Sequence, residues 1–137
     1  MIDIENKVID TISKAFEGVA TVSSVYVESP EKFPWVYIRE MSNSVYARSI
    51  DESLSEHHVS VSFRIEYYSA ATSGAKQEVK ALAQIGDIAM QSMKFRRSSF
   101  SLIPNYDRTV TRAYADYRAV VGEGVQKGDD VVYQMYR

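Results

Sequence analysis

His58-Val59-Ser60-Val61-Ser62-Phe63-Arg64-Ile65-Glu66-Tyr67-Tyr68 alternates without a break. Val59, Val61, Phe63, Ile65 and Tyr67 fall on one side, and His58, Ser60, Ser62, Arg64, Glu66 and Tyr68 on the other. Successive strand side chains point to opposite faces, so this is a strand with one buried and one polar face. Such a strand needs an apolar partner, and one stands directly downstream. After the break at Thr72-Ser73-Gly74, residues 75–93 set Lys76, Lys80, Gln84, Asp87 and Gln91, and then Lys94, on one narrow stripe at spacings of three and four. Val79, Leu82, Ile85, Ile88, Ala89 and Met93 fill the remainder. An apolar arc that broad predicts a helix covered on more than one side. Gly86 in its middle weakens the helix and predicts a close approach to the sheet or to the other helix.

Upstream, Ile4, Val8, Ile12, Phe16 and Val19 recur at helical spacing, with Asp3 as N-cap and Gly18 as stop, predicting a helix over about 3–17. From Thr21 to Glu28 the period becomes two, with Val25 and Val27 on one side and Tyr26 on the other. Pro30 and Pro34 bracket a turn, and Trp35-Val36-Tyr37-Ile38-Arg39 predicts a second strand. Residues 40–56 are polar and aperiodic, a long loop or extended hairpin tip; loops beyond about 12–15 residues are often functional.

Downstream, residues 95–103 predict a strand ended by Pro104-Asn105. Residues 107–121 predict a long strand that bends or carries a bulge, its Thr111, Ala113, Ala115, Tyr117, Ala119 and Val121 facing the helices. A turn at Lys127-Gly128-Asp129-Asp130 leads to a last strand, Val131-Val132-Tyr133-Gln134-Met135-Tyr136, apolar on both faces. The order α-β-β-β-α-β-β-β predicts an α+β fold, a two-layer sandwich whose mainly antiparallel sheet carries both helices on one face. All 137 residues are expected in a single domain.

Composition narrows the function. Hydrophobic residues make up 45% and charged residues 25%, globular values. With no cysteine there are no disulfides and no thiolate chemistry. The formal charge of -2 does not advertise a duplex-binding protein, whose affinity comes from phosphate neutralisation. The acidic start Met1-Ile2-Asp3-Ile4-Glu5 is unlike a signal peptide, and no apolar run is long enough to span a membrane, so synthesis in the cytoplasm and no membrane partner are expected.

Catalytic chemistry finds no footing. His57 and His58, as strand neighbours, point to opposite faces and do not readily share a metal ion. The carboxylate pairs Asp51-Glu52 and Asp129-Asp130 lie in predicted loops, where nothing keeps one of them protonated. Serines abound without a nucleophile elbow, and the six glycines form no phosphate-cradling loop. No enzyme activity, cofactor or metal is expected.

The unusual feature is ten tyrosines, several on the predicted non-core face. Tyr26, Tyr68 and Tyr114 share it with Arg64, Arg112 and Arg118, and Trp35 and Tyr37 join them if Val36 and Ile38 point inward. Tyrosine, tryptophan and arginine are the residues of protein–protein hot spots. With Val131 and Tyr133 of the apolar last strand they form the expected subunit interface, and Glu40, Arg48, Asp51, Glu52 and Glu56 form the expected assembly loop. A rival use, RNA bases stacked on sheet aromatics, lacks a basic surface beyond Lys94-Phe95-Arg96-Arg97, more simply a helix-end group.

The segment Ala89-Met90-Gln91-Ser92-Met93-Lys94-Phe95-Arg96-Arg97-Ser98-Ser99-Phe100-Ser101, then Ile103-Pro104-Asn105-Tyr106-Asp107-Arg108 and the strand Val110 to Val121, resembles the tail-terminator (tail-completion) proteins of long-tailed bacteriophages and related prophages. So does Phe33-Pro34-Trp35-Val36-Tyr37-Ile38 leading through a polar loop to Val59-Ser60-Val61-Ser62-Phe63. The likeness covers nearly the whole chain and is one of pattern. It implies a virion protein at the tail–neck junction, a hexameric ring that caps the tail tube, stops its polymerisation and joins it to head-completion or neck proteins. Its partners would be sister copies, the tail-tube protein and the neck protein, with DNA only in transit through the lumen. The family's long loop after the second strand orders on assembly and maps onto about 40–56. The resemblance carries no catalytic residue. Another head–tail connector or a baseplate component is the alternative within the same particle.

Overall fold

In the computed structural model, which describes residues 2–27, 30–45, 58–103, 109–122, 126–127, 130–131 and 134–136, the apolar stripe at Ile4, Val8, Ile12 and Phe16 is fully buried along helix α1 (Glu5–Ala15). Asp3 Oδ1 accepts the Glu5 backbone N–H at 3.0 Å, serving the exposed first turn. Gly18 takes φ +76°, and the Val19 and Ala20 N–H groups both reach the Phe16 carbonyl, which ends the helix.

The strands are β1 (Thr21–Ser23), β2 (Trp35–Val45), β3 (His58–Ser69), β4 (Arg96–Ile103), β5 (Thr111–Gly122), β6 (Gln126–Lys127), β7 (Asp130–Val131) and β8 (Gln134–Tyr136), with helix α2 (Ala75–Ser92) between β3 and β4. The sheet order is β1-β2-β3-β5-β4, antiparallel except for the parallel pair β1–β2. β8 pairs with β5 at Val120 to Gly122. β3 already occupies the other side of those residues, so β8 continues the edge that β4 begins. The chain is thus the expected α+β two-layer sandwich.

Both helices cover one face. Val59, Val61, Phe63, Ile65 and Tyr67 of β3, with Ala113, Ala115, Tyr117, Ala119 and Val121 of β5, are buried beneath α2 and α1. Phe63 meets Phe95 edge-on at 5.6 Å between ring centroids, and Phe16 of the first helix meets Tyr67 at 6.1 Å. Gly86 makes the predicted approach, to the sheet. A Cβ there would overlap the Tyr67 hydroxyl and stand 3.1 Å from Cζ.

Five expectations need correction. β1 stops at Ser23 because the Ser23 hydroxyl donates to the Val25 carbonyl and accepts the Val25 N–H, turning the chain out of the sheet. Val25 and Val27 are consequently exposed rather than inward. β2 runs on to Val45, so residues 40–45, expected in the loop, pair with β3 past a bulge between Glu40 and Ser42. The predicted irregularity of β5 lies instead in its neighbour: β5 keeps unbroken register with β3, while β4 carries an extra residue between Arg97 and Ser99. The last strand is divided, because Lys127 pairs with Asp130 and takes Val131 into a two-stranded hairpin, leaving β8 to join the sheet. In α2, Ile88 is 71% exposed, so the apolar arc is covered less widely than its composition predicts.

Candidate functional site

Cross-strand register builds the uncovered face of the sheet row by row. Trp35, Tyr68 and Arg112 form one row; Tyr37, Glu66, Tyr114 and Ser101 the next; Arg39, Arg64, Asp116 and Ser99 the third. Beyond them stand Ser42 and Ser62, hydroxyl to hydroxyl at 2.6 Å, then Arg118 and Arg96. Of the residues predicted for an interface, Tyr26, Trp35, Tyr37, Arg64, Tyr68, Arg112, Tyr114 and Arg118 are brought to this one surface.

Its two halves differ. In the first, Arg112 donates to Glu66, which is 5% exposed, and the Arg112 guanidinium lies 5.4 Å from the Tyr68 ring centroid. The exposed Tyr26 ring packs against Tyr37 with centroids 6.0 Å apart. Tyr68 is itself buried, and burial, followed by the Glu66 charge, pushes its phenol up to about 12. In the second half, Arg64 clasps Asp116 with two bonds, Nε to Oδ1 at 2.8 Å and Nη2 to Oδ2 at 3.1 Å, and sits 4.2 Å over the Tyr114 ring. That clasp holds the Asp116 carboxyl below its ordinary range and raises Arg64.

Arg39, Arg96 and Arg118 are exposed, and among the described residues none has an ion-paired carboxylate. Arg39 stands directly across from Arg64, and Arg96 directly across from Arg118. Like charges in direct cross-strand pairs destabilise a sheet.

The helix-covered side holds a different polar cluster. Tyr117 hydroxyl donates to Asp87 Oδ1, and Arg97 Nη1 donates to Asp87 Oδ2 at 2.8 Å, so the carboxylate is satisfied on both oxygens. Burial raises both Tyr67 and Tyr117, keeping their phenols neutral. Two open grooves lie between α2 and β4. One of about 220 Å³ is lined by Lys80, Ala83, Gln84, Arg97 and Phe100, and the other, of about 280 Å³, includes Asp87, Gln91 and Arg96. Neither holds a nucleophile beside a free base among the described residues.

Against models of protein families and against curated proteins, the chain finds no match.

Glu40 does not lie with the tyrosines and arginines. It stands on β2 opposite Phe63, on the helix side, where its carboxylate, Asp3 and Glu5 gather within 4.8 Å of one another. Burial, then the charges of Asp3 and Glu5, raise the Glu40 carboxyl. Val131 belongs to the small hairpin; its side chain, Tyr133 and the expected loop residues Arg48, Asp51, Glu52 and Glu56 lie outside the described residues. Sequence reasoning missed Glu66 and Asp116 as partners of the arginines. Alternation put them on the same side, but the pairing register that joins Glu66 to Arg112 across the sheet has no local signal.

Proposed function

We propose that this chain is a structural subunit of a phage tail, a tail terminator that acts by assembling into a hexameric ring at the tail–neck junction. The ring would cap the tail-tube protein, halt its polymerisation and present a surface to head-completion proteins, with DNA passing through the lumen. The role is one of assembly, not of catalysis. Support comes first from the resemblance carried by residues 33–38, 59–63 and 89–121. The observation that carries it is the outer sheet face, where exposed Arg39, Arg96 and Arg118 stand in a tyrosine-rich surface beside like charges and in no ion pair among the described residues. Such a face is better satisfied by a neighbour than by water. The rival reading, bases stacked on these tyrosines, loses ground because Tyr114 is covered by Arg64, Tyr37 by Tyr26, and Tyr68 is buried.

Light scattering of the protein, alone and with tail-tube protein, is the test. The expected particle is close to six times the 15.5 kDa protomer. A protein that stays monomeric in both settings at high concentration rules the reading out. Removing part of residues 46–57 should leave the protomer folded and impair joining; tails completed normally by the shortened protein would end the assembly role assigned to that loop.

A further inference from the structure

The four long strands give the outer face five arginines, Arg39, Arg64, Arg96, Arg112 and Arg118, against two carboxylates, Glu66 and Asp116, a surplus of three positive charges in a chain whose formal charge is -2. A local cluster of negative charge lies on the other layer. Asp3, Glu5 and Glu40 crowd into one corner on the helix side of the same sheet, with no ion-paired cation among the described residues. The corner is firmly built. Ile2 and Ile4 are buried in the core, and Asn43 Nδ2 donates to the Ile2 carbonyl at 2.7 Å.

We propose that the arginine-bearing outer face of one copy is covered by the Asp3–Glu5–Glu40 corner of the next. This rests on the ring reading above and adds which surfaces meet. Two charge imbalances on opposite layers of one small fold cost energy separately and cancel when copies stack in one direction. A two-fold pairing of outer face on outer face would instead set arginine against arginine. The contact is therefore heterologous, the kind that closes into a ring by rotation. Exposed guanidiniums that lack carboxylates, meeting carboxylates that lack cations, form the short charge-assisted bonds for which arginine geometry is suited.

Two charge-reversed proteins test it, Arg39→Glu with Arg118→Glu, and Asp3→Lys with Glu5→Lys, all four positions being exposed. The outer-face variant should keep the parent's thermal unfolding, the corner variant should unfold somewhat earlier because Asp3 serves the first turn of α1, and both should sediment as monomers. An equimolar mixture should assemble again with the two proteins alternating, since the unchanged corner meets the unchanged outer face and the reversed outer face meets the reversed corner with opposite charge. The parent oligomer should weaken at least about tenfold from about 0.1 to about 1 M salt, as the Debye length shrinks from about 10 to about 3 Å. If the parent assembles but the mixture stays monomeric, or if either reversed protein still assembles alone, the pairing is wrong and the ring reading survives. If the parent never assembles, alone or with tail-tube protein, both fall. Should a reversed protein fail to fold, the corresponding alanine pairs take its place; their mixture keeps only one native contact and should stop at a one-to-one dimer.

Discussion

The two faces of one sheet are held by different forces. On the helix-covered face, Val59, Val61, Phe63, Ile65 and Tyr67 show no exposure at all, and stability there comes from apolar area removed from water. On the outer face the same strand contributes Arg64, about a quarter exposed, in an ion pair of the kind worth little net. The lesson is a division of labour. The inner face makes the fold, so the outer face is free to carry charges that add little to it. One corner crosses the divide: Glu66 and Tyr68 point outward yet are as buried as core residues.

The comparison breaks most visibly at Phe63. Phe63→Ala should cost about 3–5 kcal/mol, read from the denaturant midpoint. A loss below about 1 kcal/mol would mean the helices do not define the core. Next comes the outward corner. Arg112→Met leaves Glu66 buried without its cation, and because Arg112 keeps 28% side-chain exposure the expected loss is about 2 kcal/mol, less than for a fully buried pair. Little loss would make Arg112 an ordinary surface arginine like Arg118. Gly86→Ala should cost about 1–2 kcal/mol net, since the clash with Tyr67 outweighs the gain of about 1 kcal/mol in helix propensity. Tyr67→Phe in the same chain should recover at least half, and a thermal-shift double-mutant cycle measures it.

The smallest effect concerns pH and separates the two faces by sign. Asp116 lies below its ordinary range in the fold, so its contribution is complete above that range and fades as pH falls through the lowered value. Glu40 is raised, so the fold binds its proton more tightly than the unfolded chain does and loses stability as pH rises through the window above 4.5. At neutral pH, Asp116→Asn should destabilise by up to about 1 kcal/mol while Glu40→Gln stabilises. Urea titrations at pH 4 and 7 check both, and equal signs would refute the assignment.

The inner face was legible because burial imposes a period, and the strand 58–68, the helix at 75–93 and the small residues at 111–121 all declare one. The outer face was legible as a list of residues and not as a set of pairs. Which arginine finds a carboxylate depends on strand register, a property of distant segments. Val25 and Val27 misled because alternation is blind to a serine that bonds its own backbone and turns the chain away. Glu40 misled because polarity alone suggested a loop where cross-strand pairing continues. The corner of Asp3, Glu5 and Glu40 joins positions far apart in the chain, and no local pattern announces it.

Ser98, the extra residue in β4, acts as a phase shifter. Because of it Arg97 turns toward the helices, opposite Tyr117, and reaches Asp87, while Arg96 turns outward beside Arg118. Ironing out the bulge while keeping that serine would exchange the two arginines and rob Asp87 of its counterion, whereas deleting the serine would restore regular pairing with both arginines in place. In a chain of this kind the count of residues between two landmarks carries as much instruction as their identity.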